Sequence, residues 1–257
     1  LIPGGGEGDA DGREGELLAA FAEALGQDVD VHRAPDYGVV LAGLRQGLVD
    51  LAWLPPLTAA RAVKGGVADP VALSVRHGSS SYTTVLVTSP ASPLRSVGEL
   101  RGALVAWVDR ESASGYVVLR AAMARSGVRL TEAFAEETFV RSHGAVARAV
   151  LEGRVDVGAT CAHEEGGTVR FARSAFAGDS GLAHDDLRVL FEAGPIPADL
   201  FAVRAGLAPR VRAALESGLL RGRPERLRAA ACAFLHADSF ASPTPEHRRM
   251  LASLLDD

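Results

Sequence analysis

The run of the chain best suited to chemistry is Val108-Asp-Arg-Glu-Ser112-Ala-Ser114-Gly-Tyr116. An apolar, strand-like stretch ends there, two hydroxyls and a glycine follow, and an apolar helical pattern begins. The first N–H groups of a helix lack intrahelical acceptors, and the aligned peptide dipoles leave about half a positive charge at that end. An oxyanion can therefore take the place of the missing acceptors. Ser112 and Ser114 would add hydroxyl donors, and Ala113 a backbone donor. Ser112 as a plain N-cap fits the same pattern equally well, so the run is read both as an anion cradle and as an ordinary helix start.

Other elements must hold this run in place. Leu17, Leu18, Phe21 and Leu25 recur at helical spacing and stop at Gly26, which suits a left-handed C-terminal residue, while residues 29–32 alternate like a strand. Helical patterns cover residues 37–47, 57–64, 113–126, 143–151 and 169–176, with a short helix at 97–100. Strands are expected at 49–53, 71–76, 82–88, 103–108, 137–140, 154–159, 187–191 and 200–203, and the rest reads as helical with Pro224 at a helix start. This alternation predicts a mostly parallel sheet covered on both faces. Gly47-Leu-Val-Asp-Leu-Ala52 and Gly153-Arg-Val-Asp-Val-Gly158 are near copies, each following an amphipathic helix. They point to two similar α/β lobes with a cleft, where ligands collect at strand C-termini and helix N-termini, rather than one domain with a chance echo.

Composition narrows the function classes. With 257 residues, 47% of them hydrophobic and 23% charged, the chain can build a sizeable core, which excludes a disordered tail and a disulfide mini-protein. The net charge of -5 argues against nucleic acid, whose binders carry a clustered basic excess. No run approaches the ~18 apolar residues needed to span a bilayer. Cys161 and Cys232 stand alone, without zinc or CxxC spacing, and read as two buried thiols rather than a disulfide. No metal or cofactor site is expected.

Several stretches together resemble the periplasmic phosphate-, phosphite- and phosphonate-binding components of ABC transporters. Leu100 to Tyr116 is similar to that family's oxyanion-holding strand and Ser-Thr-Ser run. Asp36-Tyr37 followed by Ala42-Gly-Leu-Arg-Gln-Gly-Leu-Val-Asp-Leu-Ala-Trp53 is similar to its tyrosine-bearing helix and strand. Ser81-Tyr82, Ser142-His143-Gly-Ala-Val146 and Pro195-Ile-Pro-Ala-Asp199 match further pocket segments in the same order.

The resemblance implies an α/β, two-lobed type II periplasmic-binding-protein fold with mixed, mostly parallel sheets. Residues 1–86 and 190–257 would form one lobe and 87–189 the other, with chain crossings near 85–90 and 187–194 as the hinge. It implies a monomeric solute-binding protein, periplasmic or lipid-anchored, that delivers a small anionic ligand to an ABC permease. No catalytic residue and no cofactor are implied. The substrate-binding set would be Tyr37, Tyr82, Ser112, Ala113, Ser114, His143 and Asp199. A sensory module uncoupled from transport, or an enzyme recruited onto the same fold, would share these features. Singly, Tyr37 and Tyr82 also fit as packing residues, His143 as a cap and Asp199 as a turn residue.

The chain also departs from the family pattern. Ala113 stands where the family has threonine, removing one side-chain donor of a kind worth ~1.5–3 kcal/mol to a charged ligand, or on the order of 10- to 100-fold in affinity. Leu54-Pro55-Pro56 replaces a glycine-containing turn, and proline removes an N–H. Asp199 would repel a dianion, so something must offset its charge. The sequence suggests either a ligand P–OH donating to it or a ligand ammonium pairing with it.

Overall fold

The structure, a computed structural model, describes residues 2–3, 12–165, 168–171 and 187–255. Its contacts divide the chain into two units, Leu1–Ser80 with Pro197–Asp256, and Ser81–Ile196.

The first unit begins with β1 (Ile2–Pro3), α1 (Arg13–Leu25), β2 (Arg33–Ala34), α2 (Tyr37–Gln46), β3 (Leu51–Leu54), α3 (Pro56–Lys64) and β4 (Ala68–Val75). The second contains β5 (Ser81–Thr88), β6 (Ala103–Trp107), a π-helical turn (Ala113–Val117) running into α4 (Val118–Arg125), α5 (Leu130–Ala133), β7 (Phe134–Phe139), α6 (His143–Leu151), β8 (Val157–Glu165), β9 (Thr168–Phe171) and β10 (Arg188–Pro197). The chain then returns to the first unit with β11 (Leu200–Arg204), α7 (Pro209–Arg221), α8 (Glu225–Leu235), β12 (Ser239–Ala241) and α9 (Pro245–Ser253).

Local chemistry places most of these ends. Gly26 and Gly47 close α1 and α2 at φ 65 and 73, a left-handed conformation that costs glycine nothing. Asp36 and Ser142 cap α2 and α6 by accepting from the N–H of Val39 and Ala145. The two near-copied phrases make the same turn, since Gly153 also sits at φ 68. They differ at the last residue for a packing reason. A Cβ on Gly158 would lie 2.4 Å from Val146 Cγ1, whereas Ala52 is fully buried with its methyl in place.

In the first unit the sheet order is β12-β4-β11-β3. Leu17 and Phe21 of α1, Leu215 and Leu219 of α7 and Leu227 of α8 form one buried cluster with Val71, Phe201 and Val203 from that sheet. In the second unit the order is β10-β5-β8-β6-β7, with β9 on β8. Strand β6 shows the two-residue period of a sheet buried on both sides. Val105 and Trp107 pack with Leu119 and Met123, while Ala106 packs with Val146 and Val150.

The sheets are mixed, as expected, but not mostly parallel. Strand β11 pairs antiparallel with both β3 and β4, β12 with β4, β5 with β8 and β8 with β9; β6 pairs parallel with β7 and β8, and β1 with β2. The reason is insertion. Strands β3 and β4 run the same way, as the β-α-β rhythm requires, but β11, arriving from far along the chain, enters between them. The helix expected over 169–176 is also corrected, because Thr168–Phe171 is a strand against β8; the rest of that stretch lies outside the described residues. Residues 29–32 form no strand, because the ladder with β1 falls instead at Arg33 and Ala34. The tail expected to be all helix contains β12. Cys161 and Cys232 are separate thiols, each half-buried.

Candidate functional site

In the second unit, the parallel neighbours β6 and β7 both end at the start of a helix. Their carboxyl ends are tied together, with Val140 N–H donating to Trp107 O at 2.9 Å and Arg141 N–H to Val108 O at 2.8 Å. Two helix N-termini, one opening at Ala113 and the other at His143, therefore follow adjacent strands. Each contributes first-turn N–H groups that no helical carbonyl can satisfy, and the positive end of a dipole.

Ser112 is an N-cap. Its Oγ accepts from Gly115 N–H at 3.0 Å and its carbonyl accepts from Val117 N–H at 3.0 Å, the wide step that makes this a π turn. The cap does not exclude a second role. The lone pair takes the Gly115 proton and leaves the hydroxyl proton available to an anion. Ala113 and Ser114 are buried, and Thr84 Oγ1 donates to the Ser114 carbonyl at 2.5 Å, anchoring the turn to β5. Tyr82 lies two residues before Thr84, on the same face of β5. Its ring centroid is 6.0 Å from that of His163.

His143 Nδ1 and Thr160 Oγ1 are hydrogen-bonded at 3.0 Å. Burial pushes the imidazole down to about 4 from 6.5, so the ring is neutral at pH 7. A consequence for stability follows. Between pH 6.5 and 4 the unfolded chain takes up a proton that the folded chain refuses, so stability falls with pH across that window, by about 3 kcal/mol. Urea midpoints at pH 7 and pH 4.5 should show His143→Gln losing less stability on acidification than the parent chain. Equal losses would refute the assignment.

Tyr37 and Asp199 belong to the first unit. Tyr37 opens α2, half-buried, directly after the capping Asp36. Asp199 lies between β10 and β11, and both oxygens of its carboxylate accept hydrogen bonds. Oδ1 accepts from Arg76 Nη1 at 2.5 Å, and Oδ2 accepts from Trp53 Nε1 at 2.7 Å, Ser74 Oγ at 2.8 Å and Arg76 Nη2 at 3.3 Å. Burial alone would raise the carboxyl's pKa. The Arg76 charge and the hydrogen bonds from Arg76, Trp53 and Ser74 outweigh burial and hold it below the usual carboxylate range. The charge that sequence reasoning expected a ligand proton or ammonium to offset is thus offset within the protein. The acidity keeps Asp199 ionised at neutral pH, an acceptor with no proton to give.

Sequence reasoning named Tyr37, Tyr82, Ser112, Ala113, Ser114, His143 and Asp199. The structure places Ser112, Ala113, Ser114 and His143 beyond the ends of β6 and β7 and Tyr82 at the start of β5, and it sets Tyr37 and Asp199 in the other unit. Arg76, Ser74, Thr84 and Thr160 escaped notice. Only the alternation of Ser74 and Arg76 at the end of a strand could have hinted at a shared face. None of the seven lines the cavity of about 370 Å³ bordered by Leu17, Phe21, Asp30 and Trp53.

A family model described as "ABC transporter, phosphonate, periplasmic substrate-binding protein" matches residues 8–248. The chain belongs to that family. Over 85 residues it is 33% identical to the phosphonates-binding periplasmic protein of Escherichia coli K12, a stretch that makes up 33% of this chain and 25% of that relative. A Xanthomonas citri protein solved with ATP aligns over 94% of this chain and 90% of its own, at 24% identity and TM-score 0.76. PhnD1 of Prochlorococcus marinus, solved with methylphosphonate, aligns over 98% and 94%, at 15% identity and TM-score 0.70. At these identities the likeness is one of fold, that of type II periplasmic binding proteins.

One serine–histidine contact in this family member bears on chemistry. His247 Nε2 lies 2.9 Å from Ser80 Oγ, while its Nδ1 accepts from the Thr244 backbone N–H at 3.1 Å. A backbone amide can only donate, so the neutral ring carries its proton on Nε2 and gives it to Ser80. That is the wrong tautomer for a base that activates a serine. Among the described residues no group of three or more His, Cys, Asp or Glu could hold a metal ion, and no helix is long and apolar enough to cross a membrane.

Proposed function

We propose that this chain captures a small phosphorus oxyanion, a phosphonate, phosphite or phosphate, and passes it to an ABC permease without transforming it. One observation carries the reading: two helix N-termini side by side at the carboxyl ends of adjacent parallel strands, with Ser112 and neutral His143 at their first turns. Such a site holds an anion with preorganised neutral dipoles and avoids the cost of burying a lysine or arginine charge. The phosphonate family model, and relatives solved with methylphosphonate and with ATP, are consistent with phosphorus–oxygen recognition. The seven residues named from the sequence form the proposed binding set, Tyr37 and Asp199 included. The histidine tautomer at Ser80 supports binding over hydrolysis. A periplasmic or lipid-anchored location follows from the same family reading.

The test is a thermal-shift screen at pH 7.5 with methylphosphonate, phosphite, phosphate, sulfate and chloride. A ligand at 100 times its Kd stabilises by about 2.7 kcal/mol, which raises the Tm of a chain of this size by roughly 5–10 °C. A shift of that size with at least one phosphorus oxyanion, and none with chloride, is expected. Uniform silence, or an equal response to every anion, would reject the reading.

A further inference from the structure

Resting on the oxyanion-binding reading, we propose that Thr84 and Thr160 are positioning residues for anion capture: from opposite faces of one sheet, each ties one of the two helix starts to the β5–β8 ladder. Both side chains are fully buried. In that antiparallel ladder Thr84 stands opposite Cys161 and Thr160 opposite Val85, so the two hydroxyls project to opposite faces. The Thr84 hydroxyl donates to Ser114 O at 2.5 Å on one face, and the Thr160 hydroxyl is hydrogen-bonded to His143 Nδ1 at 3.0 Å on the other.

The Thr84 bond completes a clamp. Ser114 O and Gly115 N–H belong to one planar peptide unit. Thr84 Oγ1 donates to its oxygen, and Ser112 Oγ accepts from its N–H at 3.0 Å. With both ends tied, that plane is held against rotation and the backbone at Ser114 is fixed. Thr160 does the same for His143, whose ring is held through Nδ1. Packing alone does not call for these hydroxyls. Valine has the shape of threonine and suits a strand equally well, and Val85 and Val87 are buried on β5 itself. A binding site does gain from them, because donors fixed before the ligand arrives lose less freedom when it binds.

The experiment is isothermal titration of the whole chain at pH 7.5 with methylphosphonate and with inorganic phosphate, paired with urea melts. Thr84→Val and Thr160→Val should each weaken binding about tenfold, whereas Thr84→Ser and Thr160→Ser, which keep the hydroxyl, should stay within about threefold of the parent. Thr88→Val is the control. Thr88 is equally buried on β5, and its hydroxyl donates to Asp156 O at 2.7 Å rather than to either helix start. That variant should lose stability and keep parental affinity. Parental affinity in Thr84→Val or in Thr160→Val, or an equal loss of affinity in Thr88→Val, overturns the proposal. Where a valine variant does not fold, Thr84→Ala against Thr84→Ser, or Thr160→Ala against Thr160→Ser, isolates the hydroxyl, and equal affinities within the pair overturn the proposal as well. If the parent chain binds neither methylphosphonate nor inorganic phosphate, the oxyanion reading itself fails, and the positioning roles fail with it.

Discussion

Gly115→Ala is expected to weaken oxyanion binding by about 100-fold, the cost of misplacing one or two hydrogen bonds to a charged ligand. The cause is steric and local. A Cβ at this position would sit 2.4 Å from both Cβ and Cγ2 of Val108 and 2.8 Å from Ser112 Oγ. Val108 is buried and β-branched, so it has no alternative rotamer to offer without disturbing the core formed with Ala106 and Val146. The π turn must move instead. Its movement would break the Ser112 cap on Gly115 N–H and the Val108 N–H bond to Gly115 O, the contacts that fix the turn carrying Ala113 and Ser114. Overpacking of this kind also costs typically 1–3 kcal/mol of stability. Gly15→Ala is the control: that glycine lies within α1 with nothing within 4 Å of its added Cβ, so binding should be unchanged and stability equal or slightly higher. Isothermal titration with the ligand found in the thermal screen, paired with urea melts, separates the two effects. Full affinity in a folded Gly115→Ala protein would show that the turn does not hold the anion.

The second large effect concerns stability. Asp199→Ala removes the counter-charge of a part-buried guanidinium and leaves the donors of Trp53 and Ser74 without their acceptor. Breaking one side of a buried pair costs about 3–5 kcal/mol, and the low end applies here because Arg76 keeps the carbonyls of Leu235 and His236. The double variant Arg76→Met with Asp199→Leu should recover most of that loss, because it removes both charges and fills the space with apolar atoms. Urea denaturation at pH 7 provides the comparison. A double variant at least as unstable as the single would mean that the two residues do not act as a unit.

These two predictions draw on different depths of information. The capped turn at Ser112 was visible from residue order alone, because an apolar run, a cap, a glycine and a second apolar run are all local signals within nine residues. The same holds for α1, α2 and α6, whose ends are fixed by glycines and caps next to them in the chain. The Ser112 question, cap or ligand donor, could not be closed at that level, since both readings predict the same residues. The structure shows that the cap is real, with Ser112 Oγ accepting from Gly115 N–H.

What only the folded chain decided are the pairings between distant segments. That β11 separates β3 from β4 depends on a strand that begins 146 residues beyond Leu54; periodicity names strands but not their neighbours, so a β-α-β rhythm was read as a parallel sheet. The neutralisation of Asp199 by Arg76 joins residues 123 positions apart, and the tie from Thr84 to Ser114 spans 30. The sequence by itself determined most of the helices and strands and marked the run from Val108 to Tyr116 as a capped helix start, because spacing and capping act over a few residues. Tertiary structure decided which charges cancel, which turn is anchored and which strands meet, because Coulomb attraction, hydrogen bonding and close packing act between neighbours in space.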